Sequence, residues 1–553
     1  MADAKPKLNT RAAGKVALAV MASRVLGLVR EVLFAGLFGA GRSMDAFFVA
    51  FKAPNLLRDL FAEGALSTAF ITVFSKKIQA EGDRSAWALA SKMATLTLVF
   101  MSAITIAGIL GADWIIAVLA PGFDPEKAAF TVLLTRIMYP FILMVSLAAL
   151  VMGMLNAKDI FGVPALASSF FNIGSILGGV TFGWLIDPSF GPRALIGLAI
   201  GTLIGGMLQL CVQLPSLKSA GFRFHFDFVW RDPDVRKILV LMGPSVIAGS
   251  AVQVNVMVNS IFASFLQDGA VSWLQYAFRL MQLPLGIFGV ALSTVTLPAL
   301  SKIVVSGDMG HFRETLAKAM RLSIFLTIPA ATGLIVLGQP IIELIYQRGK
   351  FTGTETLKTA EALQFYALGL IGYACIKVVA PAFYALDRKW VPMYVSFVAI
   401  GLNIALNYLL IFVLKIGHQG LAISTAVSAT ANFGLLYFFM RNGLGGLETK
   451  KFVVLGGKSL LASLGLAAVV WFGGQWIPGG SEYFVGWATS FFERGDGLLL
   501  AGMGFFSRVV LLLSLIGGGI GVYLFLCWAF RVREVEDALA VFAKKFVRKF
   551  GKR

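Results

Sequence analysis

The sequence predicts an all-α polytopic membrane protein with about fourteen transmembrane helices. Three observations predict it. Of 553 residues, 58% are hydrophobic and only 14% are charged, where a soluble chain carries about 25% charged residues. Mean hydropathy is +0.81, and apolar runs of roughly 20 residues recur along the chain, each long enough to cross a bilayer as a helix. Lipid offers no partner for backbone N–H and C=O groups, so only helices or closed barrels span it; runs this long and continuous argue for helices.

In chain order the spans fall at 14–40, 44–75, 86–110, 128–154, 161–185, 194–215, 237–266, 270–301, 318–338, 360–385, 391–414, 419–440, 452–476 and 507–530. Residues 1–15 are polar and basic, without the short apolar core and small-residue site of a cleavable signal peptide. With the N-terminus in the cytoplasm, the inner segments hold far more Lys and Arg than the outer ones, as the positive-inside rule requires. The inner loop 216–236 has Lys218, Arg223, Arg231 and Arg236. The tail 531–553 has eight more bases and reads as an amphipathic helix on anionic lipid at the inner face. The formal charge of +19 is thereby a property of cytoplasmic loops, not of a nucleic-acid-binding surface. The longest outer loop, about 477–506, is too small for a catalytic domain.

Cys211, Cys375 and Cys527 lie in apolar runs without CxxC pairing, which indicates neither a disulfide framework nor a thiolate metal site. His225, His311 and His418 are isolated. GLGGLE at 443–448 lacks the Lys-Ser/Thr of a phosphate loop. No cofactor, metal or catalytic arrangement is indicated, and nucleotide-driven pumping is not expected.

A faint repeat runs through the chain. Ala65-Leu66-Ser67-Thr68 leads to Ser75-Lys76 at the end of span 2, and Ala291-Leu292-Ser293-Thr294 leads to Ser301-Lys302 at the end of span 8. The pattern fits two parallel six-helix lobes, 1–218 and 219–445, followed by spans 13 and 14 within 446–530 and the basic tail 531–553.

Spans 1 and 2 are the most charged. Arg24, Arg30, Glu31, Asp45, Lys52, Arg58, Asp59 and Glu63 interrupt them. A charge near the bilayer centre costs roughly 2.5–3.5 kcal/mol on insertion scales, so such groups face protein or a water-filled cavity. Arg24 and Glu31, Asp45 and Lys52, and Lys52 and Asp59 are each seven apart and share helix faces; Asp59 and Glu63 are four apart. Static salt bridges between spans 1 and 2 absorb Glu31, Asp59 and Glu63 and leave bases over. Arg279, in span 8, has no acid within a turn or two of its helix. Guanidinium forks match phosphate oxygens, so an anionic ligand is the favoured reading.

Pro54, Pro244 and Pro284 sit inside apolar helices and predict bends. Ser245, Ser250, Gln253, Asn255 and Asn259 in span 7, and Asn403, Asn407, Ser424 and Thr425 in spans 11 and 12, form polar clusters. Interhelical hydrogen bonding accounts for them by default; a cation site is the sharper alternative.

The stretches SRVLGLVREVLFAGLFGAG, MDAFFVAFKAPNLLRDLFAEGALSTAF and YAFRLMQLPLGIFGVALSTVTLPALS resemble the MurJ (MviN) family of lipid II flippases, within the multidrug/oligosaccharidyl-lipid/polysaccharide exporter superfamily. The resemblance implies two six-helix lobes in a V around a central cavity, with spans 13 and 14 forming a groove for a polyprenyl tail. It implies that Arg24, Arg30, Arg58 and Arg279 bind substrate and that Asp45 and Glu63 match acidic positions, with Glu31, Lys52 and Asp59 as supporting charges. The implied cargo is undecaprenyl-diphosphate-linked disaccharide-pentapeptide, moved outward across the bacterial cytoplasmic membrane. Membrane lipids and cell-wall synthesis proteins are the further partners it suggests.

There are departures from the family's pattern. Asp59 stands where a second base often follows Arg58, and Phe278 and Gln282 replace acids around Arg279. A sodium site in some members uses acids where this chain has Asn259 and Asn407; with Thr425 these form at most a remnant. Two alternatives accompany this reading: an exporter of another polyprenyl-linked glycan, and a membrane-embedded glycosyltransferase acting on the same lipid.

Overall fold

The computed structural model describes residues 10–60, 66–476 and 497–535; all regular structure among them is helical. Glu63, the outer-loop residues 477–496 and the tail beyond 535 lie outside the described residues. The chain divides into two compact units, residues 1–272 with 348–352, and residues 273–347 with 353–553.

The first unit contains α1 (Thr10–Phe38), α2 (Arg42–Leu57), α3 (Ser67–Glu81), α4 (Asp83–Leu110), α5 (Ala112–Leu119), α6 (Pro125–Met138), α7 (Phe141–Ala157), α8 (Gly162–Ile186), α9 (Ala194–Cys211), α10 (Leu214–Ser219) and α11 (Pro233–Ser264). α12 (Ala270–Pro284) begins in this unit and continues into the second. The second also holds α13 (Ala291–Ser306), α14 (Met309–Tyr346), α15 (Gly353–Ala385), α16 (Trp390–Tyr408), α17 (His418–Gly443), α18 (Thr449–Trp476) and α19 (Gly497–Ala529).

Eleven of the described helices or helix runs are long and apolar enough to cross a membrane. They coincide with sequence spans 3–6 and 8–14; spans 1, 2 and 7 correspond to α1, to α2 with α3, and to α11. Their outward faces carry large apolar side chains, among them Leu110, Val295, Phe525 and Trp528. In a membrane protein such faces meet lipid, so this exposure carries no penalty.

Two of the predicted bends are breaks in helix geometry. Pro54 lies inside α2, and residues 58–60 wind as a wider π turn just after it. Pro284 closes α12, and Leu285–Val290 form another π turn before α13. Proline removes a backbone donor and clashes with the carbonyl one turn earlier, so the helix rewinds locally. Span 4 is broken too, between α6 and α7 at Tyr139-Pro140, and the short α5 precedes it in the connection between spans 3 and 4; the hydropathy reading passes over Pro140.

Packing in the first unit rests partly on glycine. A Cβ placed on Gly201 would lie 2.2 Å from the Gly179 nitrogen, and one on Gly197 2.2 Å from the Gly183 nitrogen. α8 and α9 therefore meet backbone to backbone, the small-residue mode of membrane helices. A separate core joins α3, α4, α7 and α11 through Phe70, Phe74, Leu89, Met93, Met154 and Ile238. In the second unit, Phe312, Met320, Val379, Phe383 and Leu436 join α14, α15 and α17, while Phe325, Leu466, Val470 and Tyr523 join α14, α18 and α19.

Candidate functional site

α1 and α2 present the charges that the sequence singles out. Arg24 is exposed near the middle of α1. Two turns on, the Arg30 side chain is only 17% exposed, and its Nη2 is 3.8 Å from Glu31 Oε1. The Phe171 ring of α8 lies beneath its guanidinium, 5.1 Å from Cζ to the centroid. That contact holds a cation in an apolar setting through the ring quadrupole. Phe171 continues through Phe141 to Phe51 of α2, with ring centroids 5.5 Å apart at each step. Sequence reasoning missed Phe171, because an aromatic in an apolar span carries no mark of what it faces.

Arg58 opens the π turn after α2. Its Nε and Nη2 donate to Asp59 Oδ1 at 3.1 and 2.7 Å. Asn55 and Gln253 place amide nitrogens 3.4 Å from Asp59 Oδ2. Asp59 is thus a bracket for Arg58, gathering α2 and α11 around it. Lys52 is partly buried on α2, two turns after Asp45.

Asp45 has a setting of its own. It is 1% exposed and its carboxylate is fully engaged. Oδ2 accepts from Lys127 Nζ at 3.1 Å and from Gly269 N at 2.7 Å. Oδ1 accepts from Ser272 N at 2.8 Å and Ser272 Oγ at 2.7 Å. Asp45 therefore caps the exposed N–H groups at the start of α12 from another helix. Lys127 also donates to Asp268 at 2.8 Å. Around the rim, Arg42 grips Asp124 with two nitrogens at 2.6 and 2.5 Å. Asp124 caps α6 by accepting from Lys127 N. The Arg42 hydrogen bond holds the Asp124 carboxyl below the usual carboxylate range. The partners of Asp45 lie 82 to 227 positions away, beyond any local pattern.

In the second unit Arg279 is partly buried on α12, five residues before Pro284 and the π turn. Its neighbour Phe278 packs edge-on against Tyr366 and Tyr373 of α15, at 5.4 and 6.4 Å. Asn407 Nδ2 donates to Asn403 Oδ1 at 3.0 Å, and its Oδ1 accepts from Ser424 Oγ. The oxygen end of that amide fastens α16 to α17, and the nitrogen end bonds within α16. Thr425 Oγ1 donates to the Leu421 carbonyl of its own helix. Asn259 stands on α11 of the first unit. Among the described residues there is no group of three or more His, Cys, Asp or Glu placed to hold a metal ion.

Residues 34–491 match the family model described as lipid II flippase MurJ. This chain belongs to the MurJ family. A probable lipid II flippase MurJ from Buchnera aphidicola subsp. Acyrthosiphon pisum is 37% identical over 423 residues, covering 76% of this chain and 81% of the relative. The lipid II flippase MurJ of Burkholderia cenocepacia is 36% identical over the same shares. A solved lipid II flippase MurJ in an inward closed conformation superimposes with a TM-score of 0.72 at 28% identity, covering 93% of this chain and 98% of that one. An inward-facing multidrug resistance MATE transporter of the MOP superfamily aligns with a TM-score of 0.65 at 14% identity, over 77% and 96%, a likeness of fold alone. MurJ proteins are transporters of the inner membrane and not enzymes. This chain is accordingly a multi-pass membrane transporter, and the glycosyltransferase alternative falls away.

Proposed function

We propose that the chain moves the lipid-linked peptidoglycan precursor lipid II, undecaprenyl-diphosphate-disaccharide-pentapeptide, from the inner to the outer leaflet of the cytoplasmic membrane. The observation that carries this reading is the set of arginines on apolar helices. Arg24 and Arg30 on α1, Arg58 at the π turn and Arg279 on α12 supply guanidinium forks suited to a diphosphate. Their acidic neighbours, Glu31 and Asp59, reduce the cost of keeping them in the membrane and set their orientation. The names of the relatives support the cargo.

Lipid already solvates the polyprenyl tail, so the barrier lies in the diphosphate and the sugar-peptide head. Cations exposed first to one side and then to the other replace the lost hydration of the diphosphate. With both termini in the cytoplasm, the inner loops carry the excess of positive charge. A potential negative inside favours outward movement of an anionic headgroup by roughly 2.3 kcal/mol per charge per 100 mV, which supplies direction without a coupling ion.

Depletion in cells tests the assignment. The lipid-linked precursor is expected to become inaccessible to an externally added modifying enzyme, and re-expression to restore access. Continued access in cells with no other flippase would remove the proposal. Loss of access to a different polyprenyl-linked glycan instead would reassign the cargo.

A further inference from the structure

The loop between α10 and α11 has a pattern that transport of a lipid-linked cargo does not use. Residues 222–231 read FRFHFDFVWR, with an aromatic at every second position and Arg223, His225 and Arg231 interleaved. Phe224, Phe226, Phe228 and Trp230 are 52%, 65%, 51% and 54% exposed. Residues 222–229 have no regular secondary structure, yet the segment is pinned. Phe222 packs on Trp87 with ring centroids 5.5 Å apart. The Asp227 N–H donates to Thr95 Oγ1 at 3.1 Å. Asp232 accepts from Lys92 Nζ at 2.6 Å and caps α11.

These attachments set a depth. Lys92 is the last charged residue of α4, and Thr95 lies beyond it in the apolar part of that span. At about 1.5 Å per residue, Thr95 is about 4.5 Å along the helix from Lys92. A chain held at Thr95 thus runs beside the start of the uncharged stretch of α4, where water gives way to acyl chains. Four aromatics exposed at that level, with arginines between them, have the composition of a membrane–water interface, where amphipathic rings and basic side chains concentrate. Arg231 lies over the Trp230 ring at 4.8 Å, a pairing that keeps the cation beside the aromatic and still reachable by a phosphate.

We propose that residues 222–231 are an interfacial anchor that seats its aromatic side chains at the headgroup–acyl boundary and binds anionic glycerophospholipid headgroups through Arg223 and Arg231. The occupant is the bilayer surface itself, chosen by depth and by charge complementarity. The assignment to the inner leaflet rests on the orientation proposed above; the depth does not.

The test uses the full chain with Cys211, Cys375 and Cys527 replaced by alanine and a spin label at Phe226→Cys. It is placed in nanodiscs of phosphatidylcholine with phosphatidylglycerol, and in discs of phosphatidylcholine alone. In the phosphatidylglycerol discs, oxygen is expected to relax the label more than a water-soluble nickel chelate. The double change Arg223→Gln with Arg231→Gln is expected to shift that balance toward the chelate and to reduce phosphatidylglycerol retained through purification. Greater access for the chelate than for oxygen overturns the proposal, as does a label shielded from both reagents, which would mean a covering protein surface. Should Phe226→Cys fail to give a monodisperse protein, Phe228→Cys gives the same readout. Labelling of intact cells with an impermeant maleimide decides the leaflet separately, so an error in orientation is distinguishable from an error in depth.

Discussion

Two kinds of charge setting in the first unit, Asp45 on α2 and the arginines Arg30 on α1 and Arg58 just after α2, are built in opposite ways. Asp45 is sealed, and each of its oxygens accepts two hydrogen bonds, from three residues far away in sequence. Arg58 and Arg30 take carboxylates that are their immediate chain neighbours, Asp59 and Glu31. A carboxylate satisfied by distant residues fixes tertiary structure, because losing it uncouples helices. A base steadied by its own neighbour is held in place without tying its helix to another through that bond. The difference separates Asp45, which positions the scaffold, from the arginines that the proposed function assigns to an anion, although all of them look alike as charges in apolar spans.

The largest effect that sharpens this comparison is on transport. On the proposed function, Arg30→Ala and Arg58→Ala would each remove charge-assisted bonds to the anion worth about 1.5–3 kcal/mol, so flipping in a complementation assay is expected to fall roughly 10- to 100-fold. Insertion and thermal unfolding in detergent should change little. Unfolding shifted as far as in an Asp45 variant would place these arginines with the scaffold.

Asp45→Ala probes the opposite case. It leaves Lys127, with a side chain 4% exposed, facing only part of its former partner set, and frees the N–H groups of Gly269 and Ser272. Removing one partner of a buried pair costs about 3–5 kcal/mol, so the melting temperature in detergent is expected to drop by several degrees along with activity. Asp45→Asn keeps acceptor capacity and is expected to fall between the two. Loss of transport at an unchanged melting temperature would instead make Asp45 a cargo residue.

Where the sequence was legible, the physics was local. Charges stood out in spans 1 and 2 because the bilayer makes them expensive, but the seven-residue spacing linked Asp59 to Lys52, whereas its ion pair is with its chain neighbour Arg58. Pro54 and Pro284 announced bends because a missing donor acts on its own turn. The break at Tyr139-Pro140 carries a proline as well, but the apolar run on both sides of it reads as one span, and the short α5 falls in the connection 111–127, where eight residues are too few to register as a span. The Asp45–Lys127–Ser272 network was unreadable for another reason: its members come from three segments that only the folded chain brings together. Phe171 under Arg30 was hidden likewise, since one aromatic among 47 phenylalanines has no distinguishing signature.

The smallest expected effect lies at the rim of the Asp45 cluster and concerns pH. Arg42 lowers the Asp124 carboxyl below its ordinary value, which is about 3.9 in an unfolded chain. Between the folded and unfolded values the unfolded state binds more protons, so the contribution of this pair is fully present above about pH 4 and is lost as pH falls through the folded value. The melting temperatures of the wild type and of Asp124→Asn should therefore differ most above about pH 4 and converge in acid. Because both side chains are exposed, added salt should shrink the difference. A gap that persists unchanged in acid would assign the stabilisation to the cap on α6, which an asparagine keeps in part, and not to the charge. That outcome would also narrow the electrostatic part of the sealed cluster to the buried Asp45–Lys127 pair, where water and salt do not reach.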